Sequence, residues 1–119
     1  MNFLNKFRYA FQGLFLLIRK DKNFQIQLVL FCLLIVAGIF FDISNIEWIM
    51  ILICSALVLS LEAFNSSVEK LADIVHEKFH LEIKKVKDIS AGAVFIAAIF
   101  SLIVALIIFI PKIKAVLNL

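Results

Sequence analysis

Apolar residues in this chain fall into four stretches whose periodicity differs. Over residues 3–18 they recur at helical spacing: Phe3, Leu4, Phe7, Ala10, Phe11, Leu14, Phe15 and Ile18 share one face, and Lys6, Arg8, Gln12 and Arg19 lie off it. That pattern predicts an amphipathic helix within residues 1–20, lying in a membrane interface with its aromatic face in lipid. The next three stretches, Phe24–Phe41, Trp48–Leu61 and Ile89–Pro111, carry no charge at all. A spanning helix needs about 20 mostly apolar residues. The third run is long enough alone, and the first two borrow their ends from flanking turns. The expectation is an all-α membrane protein, one domain over residues 1–119, with a surface helix and three transmembrane helices at 24–41, 46–75 and 89–111. A short turn at Asp42–Glu47 joins the first two spans. A polar loop over roughly His76–Lys87 leads to the third, with Asp88 expected to cap its first turn and Pro111 to end it.

The second span does not stop where its hydrophobicity does. Glu62, Asn65, Ser66, Glu69 and Asp73 follow at i, i+3, i+4, i+7 and i+11, one stripe of a helix that no Gly or Pro interrupts before Val75. From Trp48, Glu62 lies about 21 Å along the helix at 1.5 Å per residue, which puts it near a headgroup boundary. Acids at that depth are costly and mark functional sites. Lipid cannot satisfy them, so a protein partner is required, and a homo-oligomer is the natural solution. Mg²⁺ is commonly held by one or two carboxylates together with substrate phosphates. Phosphoryl transfer further needs positive charge and a positioned base. Lys87, with Asp88 beside it, offers a phosphate contact from the far side of the loop. The alternative for Glu69 and Asp73 is the solvated side of an emerging helix, a reading that stands level with the functional one for Asp73.

Composition agrees: of 119 residues, 64% are hydrophobic, beyond the globular range. Lys6, Arg8, Arg19, Lys20 and Lys22 precede the first span, and Lys70, Lys78, Lys84, Lys85 and Lys87 lie between the second and third. The Asp42–Glu47 turn has two acids and no base. The positive-inside rule then makes the N-terminus and the long loop cytoplasmic. Lys112 and Lys114 fall outside by parity, against the rule. The net charge of +3 reflects this bias and contact with anionic lipid, not nucleic-acid binding. No cleavable signal peptide is expected, since Phe11–Ile18 runs into Arg19-Lys20. Cys32 and Cys54 sit in apolar spans as packing residues. The three glycines form neither GxxxxGK[ST] nor GxGxxG, which excludes P-loop and ordinary kinase architecture. His76 and His80 stand four apart without the further ligands of a zinc site.

The segment LEAFNSSVE at Leu61–Glu69, with Asp73, Phe79-His80 and KDISAGAV at Lys87–Val94, resembles the small prokaryotic lipid kinases, the bacterial diacylglycerol and undecaprenol kinases. Tyr9–Gly13 and Asn23–Leu28 extend the resemblance over nearly the whole chain. It implies ATP- and Mg²⁺-dependent phosphorylation of a membrane lipid alcohol at the cytoplasmic interface of the bacterial inner membrane. It also implies homotrimers with active sites shared between subunits. Glu62 matches the proposed catalytic base and Asn65 its polar partner. Glu69 matches a magnesium ligand that also contacts ATP. Asp21 stands where the family has a second metal-binding acid, usually glutamate. Lys87 and Asp88 match nucleotide contacts, Tyr9 a residue near the nucleotide, and His80 a loop position near ATP. Asn2 replaces a common arginine, Gln25 and Gln27 stand at frequently charged positions, and Lys78 replaces a common acid. The competing reading is a non-enzymatic oligomer with Glu62 and Glu69 lining a polar path. That reading predicts acids spread through the bilayer depth, whereas these cluster at one boundary.

Overall fold

The computed structural model describes residues 2–76, 78 and 80–119, and among them the secondary structure is helical with no strand. The helices are α1 (Phe3–Lys20), α2 (Lys22–Phe40), α3 (Asn45–Val75) and α4 (Leu81–Leu117). Among the described residues, α2, α3 and α4 are long and apolar enough to cross a membrane. Helix α1 starts at an N-cap, Asn2, whose Oδ1 accepts from the Leu4 and Asn5 amides at 2.8 and 3.2 Å. None of its residues is buried, as suits a helix whose apolar face meets lipid.

Asp21 alone separates α1 from α2. Its backbone N–H closes α1 onto the Leu17 carbonyl, and its Oδ1 accepts from the Phe24 amide at 2.9 Å to open α2. Gln25 braces the joint, donating from Nε2 to the Ile18 carbonyl at 2.8 Å. At the other end of α2 the chain reverses through Asp42, in the left-handed region at φ 49°, and a capping box starts α3. There the Ser44 hydroxyl accepts from the Glu47 amide at 3.2 Å, and Glu47 Oε1 accepts from the Ser44 amide at 2.9 Å. Gly38 makes this reversal tight, since a Cβ there would stand 2.6 Å from Trp48 Cη2 and 3.1 Å from Ile43 Cδ1.

Helix α3 packs most extensively on α4. Ile43, Ile51, Ile108 and Phe109 form the buried cluster at the end near the α2–α3 turn, with Trp48, Phe41 and Leu34 against it. The 31 residues of α3 rise about 46 Å, well beyond a hydrocarbon core of about 30 Å, so the polar end of the helix projects from the membrane.

Three expectations about the third membrane helix are corrected. Leu81–Lys87 is helix rather than loop, and His80, not Asp88, is the N-cap, its Nδ1 taking the Glu82 amide at 3.2 Å. The charges that read as loop are spaced as helix pairs: Lys85 to Glu82 at 3.1 Å and Lys84 to Asp88 at 2.6 Å. Nor does Pro111 end the helix, which runs on to Leu117 and stops at Asn118, in the left-handed region at φ 58°. A proline forfeits one backbone hydrogen bond, a loss that packed membrane helices tolerate. Here the following turn is tied to α3 by a partly buried ion pair, Lys112 Nζ to Glu47 Oε2 at 2.9 Å. Phe79, part of the resemblance, lies outside the described residues.

Overpacking at the hairpin should be measurable. Gly38→Ala is expected to destabilise the protein by about 1–3 kcal/mol. Gly13→Ala, where a Cβ meets nothing within 4 Å, should be neutral or stabilising by up to about 1 kcal/mol. Denaturant titration in mild detergent compares the two.

Candidate active site

The polar stripe of α3 divides by burial. Glu62, Asn65 and Ser66 are 4%, 5% and 6% exposed, whereas Glu69 and Asp73 are exposed further along the helix. Seven residues separate Glu62 from Glu69, about 10 Å along the axis. The Asn65 amide neighbours the Glu62 carboxylate, whose charged neighbours are Asp21 and Glu69. Asn65 Oδ1 is buried with no hydrogen-bond partner. An orphaned acceptor costs about 1–3 kcal/mol, an expense that a donor from a ligand or from a neighbouring subunit would remove.

The break between α1 and α2 sets Asp21 against α3. Asp21 and Glu69 line one cleft of about 330 Å³ with Lys20, Lys22, Asn23, Ser66, Lys70 and Asp73. The structure therefore brings together the two acids that the family resemblance nominates as metal ligands. No set of three His, Cys, Asp or Glu placed to hold a metal occurs among the described residues. A pair of carboxylates nonetheless suits Mg²⁺, which retains waters and shares its shell with phosphate oxygens. Asp21 Oδ1 is engaged by the Phe24 amide, leaving the second oxygen for the cleft. This double duty gives a physical reason for aspartate at position 21, since aspartate is a strong N-cap side chain.

Lys87 reaches the rim of the cleft from α4, its Nζ 2.5 Å from Asp73 Oδ1. Tyr9 is half exposed and lines an adjoining groove of about 750 Å³ between α1 and α3, walled by Leu14, Leu59, Ala63 and Phe64. The Arg8 guanidinium lies 5.9 Å from the Tyr9 ring centroid. Asp88 pairs with Lys84, and His80 caps α4 with its ring 4.9 Å from that of His76. Of the nominated residues, Asp21 and Glu69 line the cleft within one chain, whereas Tyr9, Glu62, Asn65, His80, Lys87 and Asp88 do not, Glu62 and Asn65 lying buried earlier on the same stripe of α3. Lys20, Lys22, Asn23 and Lys70 do line it and were not nominated from the sequence. Their positions carried the signal, with Lys20 and Lys22 flanking Asp21 and Lys70 following Glu69, but positive charge at those places was already explained by membrane orientation.

Comparison with known proteins shows what the chain is similar to. The family described as prokaryotic diacylglycerol kinase matches residues 8–109. The undecaprenol kinase of Bacillus subtilis is 34% identical over 110 residues, 92% of this chain and 89% of the relative. A diacylglycerol kinase of Synechocystis is 31% identical over 98% of this chain and 67% of its own. One from Haemophilus influenzae is 32% identical over 79% and 80%.

The cap and the charge of Asp21 are separable. Asp21→Ala should lower stability by about 1 kcal/mol, whereas Asp21→Asn, which keeps the cap acceptor, should hold wild-type stability while losing the carboxylate. Thermal unfolding in detergent reads the first effect, and magnesium titration of phosphate transfer reads the second.

Proposed function

The chain belongs to the prokaryotic diacylglycerol kinase family and is a lipid kinase of the membrane; from that premise we propose that it transfers the γ-phosphate of ATP, with Mg²⁺, to the hydroxyl of a lipid alcohol, diacylglycerol or undecaprenol, at the cytoplasmic face of the inner membrane. The observation that carries this reading is the position of Glu62. It is buried on α3 beside the turn that lines the apolar groove, Leu59, Ser60 and Ala63, and one to two turns before Ser66 and Glu69 in the polar cleft. A lipid lying under α1 presents its hydroxyl to Glu62 from one side, and a nucleotide reaches it from the other.

In the reaction so read, the hydroxyl oxygen bonds to the γ-phosphorus as the bond from that phosphorus to the β–γ bridging oxygen breaks. The hydroxyl proton passes to Glu62, and ADP leaves. Glu62 serves as the general base because it is held buried, with no cation paired to it among the described residues, at the depth where a lipid hydroxyl sits. Asn65 keeps its place beside that carboxylate and offers its free Oδ1 to a donor. Glu69 and the second oxygen of Asp21 would hold Mg²⁺, which when bound neutralises charge on the transferring phosphoryl oxygens. Lys87 places positive charge at the rim. Tyr9, His80 and Asp88, which do not line the cleft of their own chain, serve the nucleotide across a subunit boundary in a homotrimer. The buried, unpartnered Asn65 Oδ1 supports a site completed by something beyond one chain. With N-terminus and α3–α4 connection in the cytoplasm, the product feeds phospholipid synthesis or lipid-carrier recycling. The polar-path reading gains nothing from the structure, because the acids of α3 beyond Glu47 all lie from position 62 onward.

Purified protein supplied with γ-labelled ATP and extracted lipid is expected to label a lipid monoester. Chelation of Mg²⁺ should abolish transfer and its return restore it. Glu62→Gln should cut the rate by about 10²- to 10⁴-fold, the usual scale of general-base loss; unimpaired transfer would remove Glu62 from this role. Offered equal amounts of both lipids, the enzyme is expected to favour undecaprenol, following the name of its Bacillus subtilis relative.

A further inference from the structure

The polar cleft and the apolar groove are not separate places. Leu16, Leu17, Ser66 and Lys70 line both, so these residues form the passage from one to the other. Lys70 is the one charged member of that set. Its four-carbon stem can lie along Leu16 and Leu17 while the ammonium stays at the opening, the ordinary way a lysine sits at an apolar edge.

The ion pairs narrow the choice in the same direction. Lys84, Lys85, Lys87 and Lys112 are each held by an acid. Lys70, Lys20 and Lys22 enter no ion pair among the described residues, and all three line the cleft. Asp73 is already engaged by Lys87, so the acids left to the cleft are Asp21 and Glu69. The cleft thus holds more free positive than free negative charge, and only Lys70 carries that charge to the groove.

The reaction proposed above makes this placement consequential. Its acceptor arrives as a neutral alcohol and departs as a phosphate monoester bearing about −1.5 to −2 charge near neutral pH. The new charge therefore appears at the boundary between cleft and groove, on a molecule whose chain lies in the groove. An unpaired ammonium there matches the product and has nothing to match on the alcohol.

We infer that Lys70 binds the phosphate of the newly phosphorylated lipid, distinguishing product from substrate at the junction of the two cavities. The inference rests on the lipid kinase reading. A compact ammonium on a flexible stem serves here as a point charge that follows the phosphate, a task arginine can share because it keeps the charge.

Lipid binding measured without ATP tests it, by the shift in unfolding temperature in micelles doped with phosphatidate or undecaprenyl phosphate, each against its parent alcohol. Lys70→Gln should weaken binding of both phosphorylated lipids roughly tenfold, the scale of one charge-assisted contact, and leave both alcohols unaffected. Lys70→Arg should restore most of the loss, and Lys114→Gln should change nothing. In turnover, Lys70→Gln should relieve inhibition by added product. Wild-type phospholipid binding in Lys70→Gln, or equal loss of alcohol and phosphate, would overturn the inference, the second result marking a merely structural side chain. Label transfer separates the two levels: a wild-type protein that phosphorylates neither lipid removes the reaction itself, whereas normal transfer with unaltered product binding in Lys70→Gln removes only the role of Lys70.

Discussion

Burying Glu62 and Asn65 on a membrane helix is the constraint from which the rest of the architecture follows. Hydrocarbon offers a carboxylate or an amide no hydrogen bond, so polar groups on a lipid-bathed helix must be covered or brought to the water boundary. Helix α3 does both. It is long enough to carry the stripe to the boundary and beyond it, and its neighbours α2 and α4 carry no charge over residues 24–40 and 89–111. Covering the remainder falls to the α1–α2 joint, where Asp21 and its flanking lysines close over the polar face. The surface helix is thereby more than an anchor, because its end supplies part of the site that its face places at the lipid surface.

The site is economical with side chains. Asp21 terminates one helix, starts the next and lends its carboxylate to the cleft. Glu47 completes a capping box with one oxygen and fixes the far end of α4 with the other. The Asp73–Lys87 pair joins the projecting ends of α3 and α4, so the rim of the cleft is set by the packing that stabilises the fold. An exposed ion pair of this kind contributes little stability by itself, with a median near 0–1 kcal/mol. Its importance lies in position.

Hydrophobic periodicity made the helices legible because a bilayer imposes length and apolarity together. The stripe from Glu62 to Asp73 was legible because its residues share one helix and the i, i+3, i+4, i+7 rule applies directly. What lay beyond the sequence depended on tertiary contact or on competing local signals. Glu82, Lys84, Lys85 and Asp88 have a loop-like composition but helix-like spacing, and spacing prevailed. Pro111 is a strong local stop signal, yet the helix continues with Lys112 pinned to Glu47 across 65 positions of sequence. The lysines of the cleft were visible as residues but not as a cluster, since Lys20 and Lys70, 50 positions apart in sequence, come to one cleft only through the fold.

The account stands on the depth of one side chain, and that depth can be measured directly. A nitroxide attached at position 62, in a protein whose Cys32 and Cys54 are replaced by alanine, reports its immersion through relaxation by oxygen and by a water-soluble nickel chelate in bilayers. The account predicts a position at the hydrocarbon–headgroup boundary, on the same side as labels at Lys20 and Lys70. A position near the bilayer centre, or on the side of Asp42, would contradict it, because neither a lipid hydroxyl nor a nucleotide could then meet Glu62.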